Sequence, residues 1–260
     1  MIDFHVHIFP DAMALLTVQK LAANAGIDFH SDGSIQTLFE GMQKNGVKYA
    51  VNLPVATKPE QVHGINRWII DQHKKYPSII SFGAMHPLFD HPREEIAFLC
   101  DNGVKGIKLH PEYQNFFPDD ECCTALYEAC RDYGLIVYFH AGDDLAYPDC
   151  HGNPDRFAQV LTIDGLKVVL AHMGGYRKWD EVEKYLVGKH VYFDTSVSYE
   201  MGQEHMRSMI QNHGAEKILF GTDSPWDYAN RMKQFIKTLN LGQDAERKIF
   251  TDNALSLLGL

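Results

Sequence analysis

The segment Met1-Ile-Asp-Phe-His-Val-His-Ile-Phe-Pro10 joins an apolar, partly β-branched run to two histidines, His5 and His7. Such a run predicts a β-strand. Residues i and i+2 of a strand point to the same face, so the two imidazoles are expected to converge near the end of the strand. Imidazole pairs of this kind commonly bind a divalent transition metal. A pair that arose by chance would have no such role, and the rest of the chain decides between the two interpretations.

Seven more segments of the same kind follow along the chain. Each is short and apolar, and each ends in a polar or Gly/Pro cluster, which is typical of a buried strand. With the first segment, the predicted strands cover residues 2–9, 47–55, 79–87, 106–111, 135–142, 166–174, 190–196 and 217–226.

Helical patterns separate these strands. Ser34 is a candidate N-cap, and Thr57-Lys58-Pro59-Glu60 is typical of a capping box that opens the next helix. His63, Trp68 and His73 are expected on the outer or packing face of that helix. The longest connection, residues 10–46, is expected to hold two helices and could cover one end of the sheet.

Strands that alternate with helices imply parallel βαβ units. Eight such units in 260 residues predict an α/β fold, a closed (β/α)₈ TIM barrel that forms one domain over residues 1–260. A doubly wound open sheet is the alternative, but it usually has fewer strands, and no Gly-rich phosphate loop follows the first strand.

Composition narrows the class of protein. A net charge of −10 without a basic stripe argues against nucleic acid as the main partner. No apolar run reaches the ~18 residues that span a bilayer, and no signal-like segment is present, so we expect a cytoplasmic protein without a membrane partner. The five cysteines show no C-x-x-C spacing, which predicts free thiols.

Ionisable residues recur at the ends of the predicted strands, where the active sites of parallel barrels lie. Packing alone does not readily explain histidines on five strands at one rim, because each buried imidazole needs a hydrogen-bond partner. After His5 and His7, the residues at this rim are His86, Lys108, His110, His140, His172, Asp194 and Asp223.

This set fits a metal-dependent enzyme. His5, His7, His140 and Asp223 would offer three nitrogens and one oxygen to a divalent ion, which lowers the pKa of a water towards neutrality. Asp223 could also accept a proton. His172 would stand beside the ion as a general acid or base, or as a group that polarises a substrate oxygen.

The ordered set His5-x-His7, His140, His172 and Asp223 resembles the amidohydrolase superfamily. The strings IDFHVHIFP, GIKLHP, YFHAG, LAHMGG, YFDTS, ILFGTDSPW and DNALSLLGL are similar to the amidohydrolase-related family of metal-dependent TIM-barrel proteins, over essentially the whole chain. That family includes hydrolases of amides, esters and lactones. It also includes non-oxidative decarboxylases of aromatic or unsaturated acids, similar to aminocarboxymuconate-semialdehyde decarboxylase.

The resemblance implies a single divalent metal, zinc first and manganese as the alternative, with His5, His7, His140 and Asp223 as ligands and His172 as the catalytic residue. Many members with two metals use a carboxylated lysine after the fourth strand. If Lys108 takes that role, a second metal is expected and His172 becomes one of its ligands. Otherwise Lys108 or His110 is expected to contact an anionic substrate group, unless Lys108 is a solvated charge.

The sequence therefore predicts a metal-dependent hydrolase of a small-molecule amide, ester or lactone. Trp226 and His86 join Lys108 and His110 as predicted substrate-binding residues. The alternative is a decarboxylase of a small carboxylic acid, which the lack of arginine after the first strand weakens. A binding protein on a degenerate barrel is a third class, which the complete ligand set disfavours. The expected partner is a small-molecule substrate, and the expected assembly is a homodimer.

Overall fold

Eight parallel strands form a closed barrel in this computed structural model, which describes residues 1–260. The third strand, β3, is interrupted at Phe82, and its two pieces pair with β2 and β4. The strands are β1 (Ile2–Val6), β2 (Tyr49–Asn52), β3 (Ile79–Ser81 and Gly83–Ala84), β4 (Gly106–Leu109), β5 (Ile136–Phe139), β6 (Lys167–Leu170), β7 (Tyr192–Asp194) and β8 (Ile218–Leu219).

The barrel closes between β8 and β1. The Phe4 amide donates to the Phe220 carbonyl at 2.7 Å, and the Asp223 amide donates to the His5 carbonyl at 2.8 Å. These bonds tie the segment after β8 to the first strand, so no edge of the sheet stays open. The predicted TIM-barrel fold is confirmed.

Twelve α-helices surround the barrel, most of them between successive strands. Their bounds are α1 (Ala14–Ala25), α2 (Ile35–Asn45), α3 (Val62–Lys75), α4 (Pro92–Asp101), α5 (Pro111–Gln114), α6 (Thr124–Tyr133), α7 (Pro154–Val160), α8 (Trp179–Tyr185), α9 (Gln203–His213), α10 (Ala229–Thr238), α11 (Gln243–Arg247) and α12 (Asn253–Leu258). None of these helices is both long and apolar enough to cross a bilayer. All five cysteines are free thiols, as the spacing predicts.

The structure confirms one of the two predicted helix N-caps and changes the residue that takes part in the other. The Ser34 hydroxyl accepts a hydrogen bond from the Thr37 amide at 3.3 Å and caps α2. The capping interaction before α3 uses a different residue from the predicted one. The Lys58 amide donates to Oε1 of Gln61 at 3.1 Å, because a short 3₁₀ turn over Pro59–Gln61 brings Gln61, and not Glu60, back to the first amide.

A β-bulge in β1 sets the direction of the first two histidines. Phe4 packs against Tyr138 inside the barrel, with ring centroids 6.2 Å apart. The next residue, His5, also contacts Tyr138, at 5.5 Å. Two consecutive side chains can point inwards because the pairing of β1 with β2 shifts register between Asp3 and Val6. The bulge therefore turns His5 and His7 towards the barrel axis, while Val6 between them packs in the core outside the barrel.

Candidate metal centre and active site

Three ligand-type atoms converge at the carboxyl end of the barrel. Nε2 of His5 lies 3.2 Å from Nε2 of His7, as the i, i+2 spacing predicts. Oδ1 of Asp223 lies 3.2 Å from the first nitrogen and 3.1 Å from the second. The closure of β8 on β1 brings together these residues from opposite ends of the chain. We call this set, His5, His7 and Asp223, the triad.

The hydrogen bonds of the two rings fix their tautomers. Nδ1 of His5 lies 2.9 Å from Oδ2 of Asp194, and Nδ1 of His7 lies 2.9 Å from the carbonyl oxygen of Leu53. Both partners accept, so each Nδ1 carries the hydrogen and each Nε2 presents a lone pair. Two nitrogen lone pairs and a carboxylate oxygen therefore face one another at about hydrogen-bond distance with no hydrogen between them. A cation relieves this repulsion, and the donor set fits a divalent metal.

The electrostatics of the triad agree with this arrangement. Burial lowers the pKa of His5 to about 4, against the opposing effect of Asp223 and Asp194, so the imidazole is neutral near pH 7. Burial alone would raise the pKa of Asp223, but at low pH the protonated forms of His5, His7 and His172 outweigh it and hold that pKa well below its usual range. A neutral imidazole and an ionised carboxylate are the forms that bind metals.

Asp194, at the end of β7, organises the layer beneath the triad. Its carboxylate accepts hydrogen bonds from Nδ1 of His5, the Tyr138 hydroxyl, the His172 amide at 3.2 Å and the Ser196 amide at 2.7 Å. The Ser196 hydroxyl also donates to it. Burial opposes ionisation, but His5 and these donors keep the pKa of Asp194 below its ordinary value. The sequence placed Asp194 at the rim, and its contacts now indicate that it orients His5.

His172 and His140 lie beside the triad and contact each other. Nε2 of His172 is 3.2 Å from Nδ1 of His140, while Nδ1 of His172 donates to the Ser196 carbonyl at 3.1 Å. The His140 ring stacks on His110, with centroids 4.1 Å apart and an interplanar angle of 9°. The structure therefore does not bring His140, the predicted fourth ligand, into the triad.

A second cluster gathers around His140. Ligand-type atoms of His110, His140 and Asp144 lie within 4.8 Å of one another, and Nε2 of His110 is 3.4 Å from Oδ2 of Asp144. The lone pairs of two stacked parallel rings run parallel, so they do not converge on one ion. This cluster is better described as a polar wall. From the sequence, Asp143 and Asp144 could face the substrate or form a loop turn, and the turn is the simpler interpretation. The path of the loop brings both to the cavity.

Backbone strain marks two residues of the site. His172 has a φ of 59° and Asp223 has a φ of 68°, both in the left-handed region that L-residues seldom adopt. Such conformations cost energy and persist where the surrounding structure imposes them. Here they turn the chain sharply after β6 and β8 and direct both side chains to the barrel mouth.

Lys108 lies on the barrel floor without a hydrogen-bond partner. Its side chain is buried, with 1% of the residue exposed, and Nζ lies 4.5 Å above the Tyr138 ring. Burial lowers its pKa to about 8, against the opposing effect of Asp194 and Asp223. A solvated role at the strand end is therefore wrong. A buried amine with no acceptor is energetically costly.

A cavity of about 1140 Å³ opens above the triad. Lys108, His110 and Trp226, three of the four predicted substrate-binding residues, line it together with the triad, His140 and His172. The fourth, His86, does not line this cavity. Its Nδ1 accepts a hydrogen bond from the Leu88 amide at 3.1 Å inside the loop after β3, which leaves the ring buried in that loop.

Trp68 is a lining residue that the sequence did not identify. The spacing placed it on the outer or packing face of α3, but the helix turns this half-buried indole towards the cavity. The placement depends on how α3 packs against the barrel, which helical periodicity alone does not give.

Solved structures of similar fold include three enzymes. The chain aligns with 5-carboxyvanillate decarboxylase LigW from Sphingomonas paucimobilis at a TM-score of 0.75 and 16% identity, covering 100% of this chain and 99% of the other. A "probable 2-pyrone-4,6-dicarboxylic acid hydrolase" from Acinetobacter baumannii gives a TM-score of 0.72 at 15% identity, with 100% and 99% coverage. A dihydroxybenzoic acid decarboxylase from Polaromonas sp. JS666, with bound manganese, gives 0.72 at 15% identity, with 100% and 96% coverage.

These identities establish a shared fold and leave the reaction open. No curated protein sequence gives a significant match to this chain. The sequence profile of the family Amidohydro_2, described as amidohydrolase, matches residues 2–260. That match covers the barrel, the triad and the residues around it, and it shows that this chain belongs to the amidohydrolase family of enzymes.

Proposed function

We propose that this enzyme is a metal-dependent hydrolase of a small-molecule amide, ester or lactone. One observation carries the proposal. The lone pairs of His5 and His7 and the carboxylate of Asp223 face one another at 3.1 to 3.2 Å at the floor of a large cavity. Zinc suits this donor set best, and manganese is the alternative, supported by its presence in a protein of similar fold.

The bound ion would polarise a substrate carbonyl and lower the pKa of a water that attacks it. Two residues of the chain would carry out the proton transfers. Asp223, which is ionised because its pKa is low, would accept a proton from the attacking water and return it to the nitrogen or oxygen that leaves as the C–N or C–O bond breaks. His172 has its hydrogen on Nδ1, so its Nε2 can take or return a proton near the reacting centre.

Lys108 would hold an anionic group of the substrate. Its Nζ lacks an acceptor in the chain, and its place on the floor of the cavity puts it close to the triad. A carboxylate that forms during hydrolysis, or one that the substrate already carries, would supply the missing acceptor.

Decarboxylation is the second candidate, and the same lysine favours it in a different way. Loss of carbon dioxide leaves electrons on carbon, which must be protonated, and an unpartnered Lys108 is an available donor. If the Lys108 ammonium pairs with the substrate carboxylate, however, it stabilises the substrate before the reaction, because the negative charge must leave that carboxylate as carbon dioxide forms. We therefore rank hydrolysis first, although four of the solved structures of similar fold are named decarboxylases.

Metal analysis and a substrate screen test the proposal. About one zinc or manganese per chain and turnover of lactones or activated esters would support the hydrolase. Carbon dioxide release from phenolic or muconate-type acids, with no ester or lactone turnover, would establish the lyase instead. About two metals per chain would point to a carboxylated Lys108, and a chain that takes up no metal after reconstitution would overturn both reactions.

A further inference from the structure

Mostly apolar residues of α1 and α3 line part of the cavity, and we call this part the groove. The residues that α1 and the turn before it contribute to the cavity recur every four positions, which places them on one helix face: Met13, Thr17, Leu21 and Ala25. Ala14, Val18 and Ala22 form the adjacent stripe of the helix, which is buried in the protein. Thr17, Leu21 and Ala25, which line the cavity, are only half-buried.

The residues that α3 contributes to the cavity have the same character. Gly64, Ile65 and Trp68 line the cavity at helical spacing, after Gln61 in the preceding turn. A Cβ atom placed on Gly64 would meet no atom within 4 Å, so the wall is open at this residue. Ile65 and Trp68 are half-buried and continue the apolar surface towards the barrel.

The charged residues that line the cavity come from other elements. They come from the floor, from the loops after β5, β7 and β8, from α10 and from the turn after α1: Lys108, Asp143, Asp144, Glu200, Asp223, Arg231 and Asp28. None of the cavity residues on α1 or α3 is charged. The volume of about 1140 Å³ also exceeds the ~300–1,000 Å³ usual for small-molecule sites. A compact polar head group would leave most of this space and the whole groove unfilled.

We propose that the groove between α1 and α3 binds an apolar arm of the substrate. This inference rests on the proposed hydrolase function and defines its substrate class as amphipathic. A polar or anionic head reacts at the triad beside Lys108, and an alkyl or aryl arm lies against Leu21, Ile65 and Trp68. The groove is continuous with the cavity of the reacting head, which assigns it to the substrate itself.

A chain-length series tests the groove without any need for turnover. The dissociation constants of straight-chain carboxylates from acetate to octanoate are measured by calorimetry on the zinc-loaded enzyme. Each methylene that enters the groove should tighten binding by up to about fourfold, the effect of burying one such group. The gain should stop where the groove ends.

Two variants and one control locate the effect. Gly64→Leu should fill the opening in α3 and flatten the series, while acetate binding stays the same. Leu21→Asp should do likewise by placing a charge on the groove wall. Leu16→Asp is the matched control, because Leu16 lies on the same helix but is 70% exposed and does not line the cavity. Its series should match that of the unmodified enzyme.

The outcomes separate the two proposals. Equal affinities for acetate and octanoate, or an unchanged series in Gly64→Leu, would overturn the groove while the zinc stoichiometry leaves the hydrolase intact. A chain that binds no zinc would overturn the proposed function first. A steep series that both wall variants abolish and Leu16→Asp preserves would establish the subsite.

Discussion

Nδ1 of His5 lies 2.9 Å from Oδ2 of Asp194, in a pair that is almost wholly shielded from water. The carboxylate comes from β7, two strands away from β1 around the barrel. This bond sets the tautomer of His5 and so directs the opposite nitrogen to the triad. Asp194 would thus influence a metal ion bound at the triad without being one of its ligands.

Asp194→Asn should weaken metal binding by about 10- to 100-fold, the usual effect of losing the carboxylate behind a ligating imidazole. The amide cannot accept on both sides as the carboxylate does, so His5 loses its fixed orientation. Competition with a chromophoric chelator gives the affinity. Asp101→Asn, at an exposed position on α4, is the control. Equal affinities in the two variants would show that Asp194 has no part in holding the ion.

His7→Gln and His140→Gln should differ strongly in zinc affinity. His7 belongs to the triad, so its loss should cost about 100-fold or more, whereas His140 stacks on His110 and its loss should cost less than about tenfold. The same chelator competition measures both. Matching losses would mean that the His140 ring leaves its stack and becomes a ligand when metal binds.

Lys108→Met should stabilise the metal-free protein by on the order of 1–3 kcal/mol, because it removes a buried amine that lacks an acceptor. Urea denaturation in the presence of a chelator measures the change. Lys105→Met, at an exposed position just before the same strand, should have little effect. A Lys108→Met protein that is less stable than the natural chain would show that the amine has a favourable partner.

The difference in the free energy of unfolding between Lys108→Met and the natural protein should depend on pH. The pKa of Lys108 is lowered to about 8 in the folded chain, below its value of ~10.4 in an unfolded chain. Between these values the unfolded state binds more protons, so the stability of the natural protein rises with pH, by at most about 1.4 kcal/mol per pH unit. The advantage of Lys108→Met should therefore shrink from pH 8 to 10. A constant gap would mean that Lys108 titrates at its ordinary pKa.

His172→Asn should separate catalysis from metal binding. If His172 transfers a proton in the reaction, turnover should fall by about 10²- to 10⁴-fold, while zinc content stays near one per chain. The measurements are the turnover number on whichever ester or lactone the screen identifies, and elemental analysis of the same sample. Loss of metal together with activity would instead make His172 a ligand.

The sequence predicted the barrel because eight apolar segments alternate with helical ones, and this pattern determines the topology directly. It also predicted the meeting of His5, His7 and Asp223, since strand ends in a closed parallel barrel share one rim. These inferences depend only on the order and period of residues along the chain.

The remaining site depends on contacts that no periodicity encodes. His140 lies away from the triad because its ring finds a stacking partner in His110. His86 is buried because its loop folds back on it, and Asp144 and Trp68 reach the cavity through the path of a loop and the rotation of a helix. Side-chain packing decides each of these placements.

The bulge in β1 limits how the H-x-H pair can be moved into another protein. The spacing of His5 and His7 ensures only that the two rings share a face, and the register shift between Asp3 and Val6 decides which face that is. On an unbroken strand that kept Phe4 towards the axis, both imidazoles would point towards the helices and could not meet Asp223. Transfer of this site to another barrel therefore requires the irregular backbone together with the two histidines.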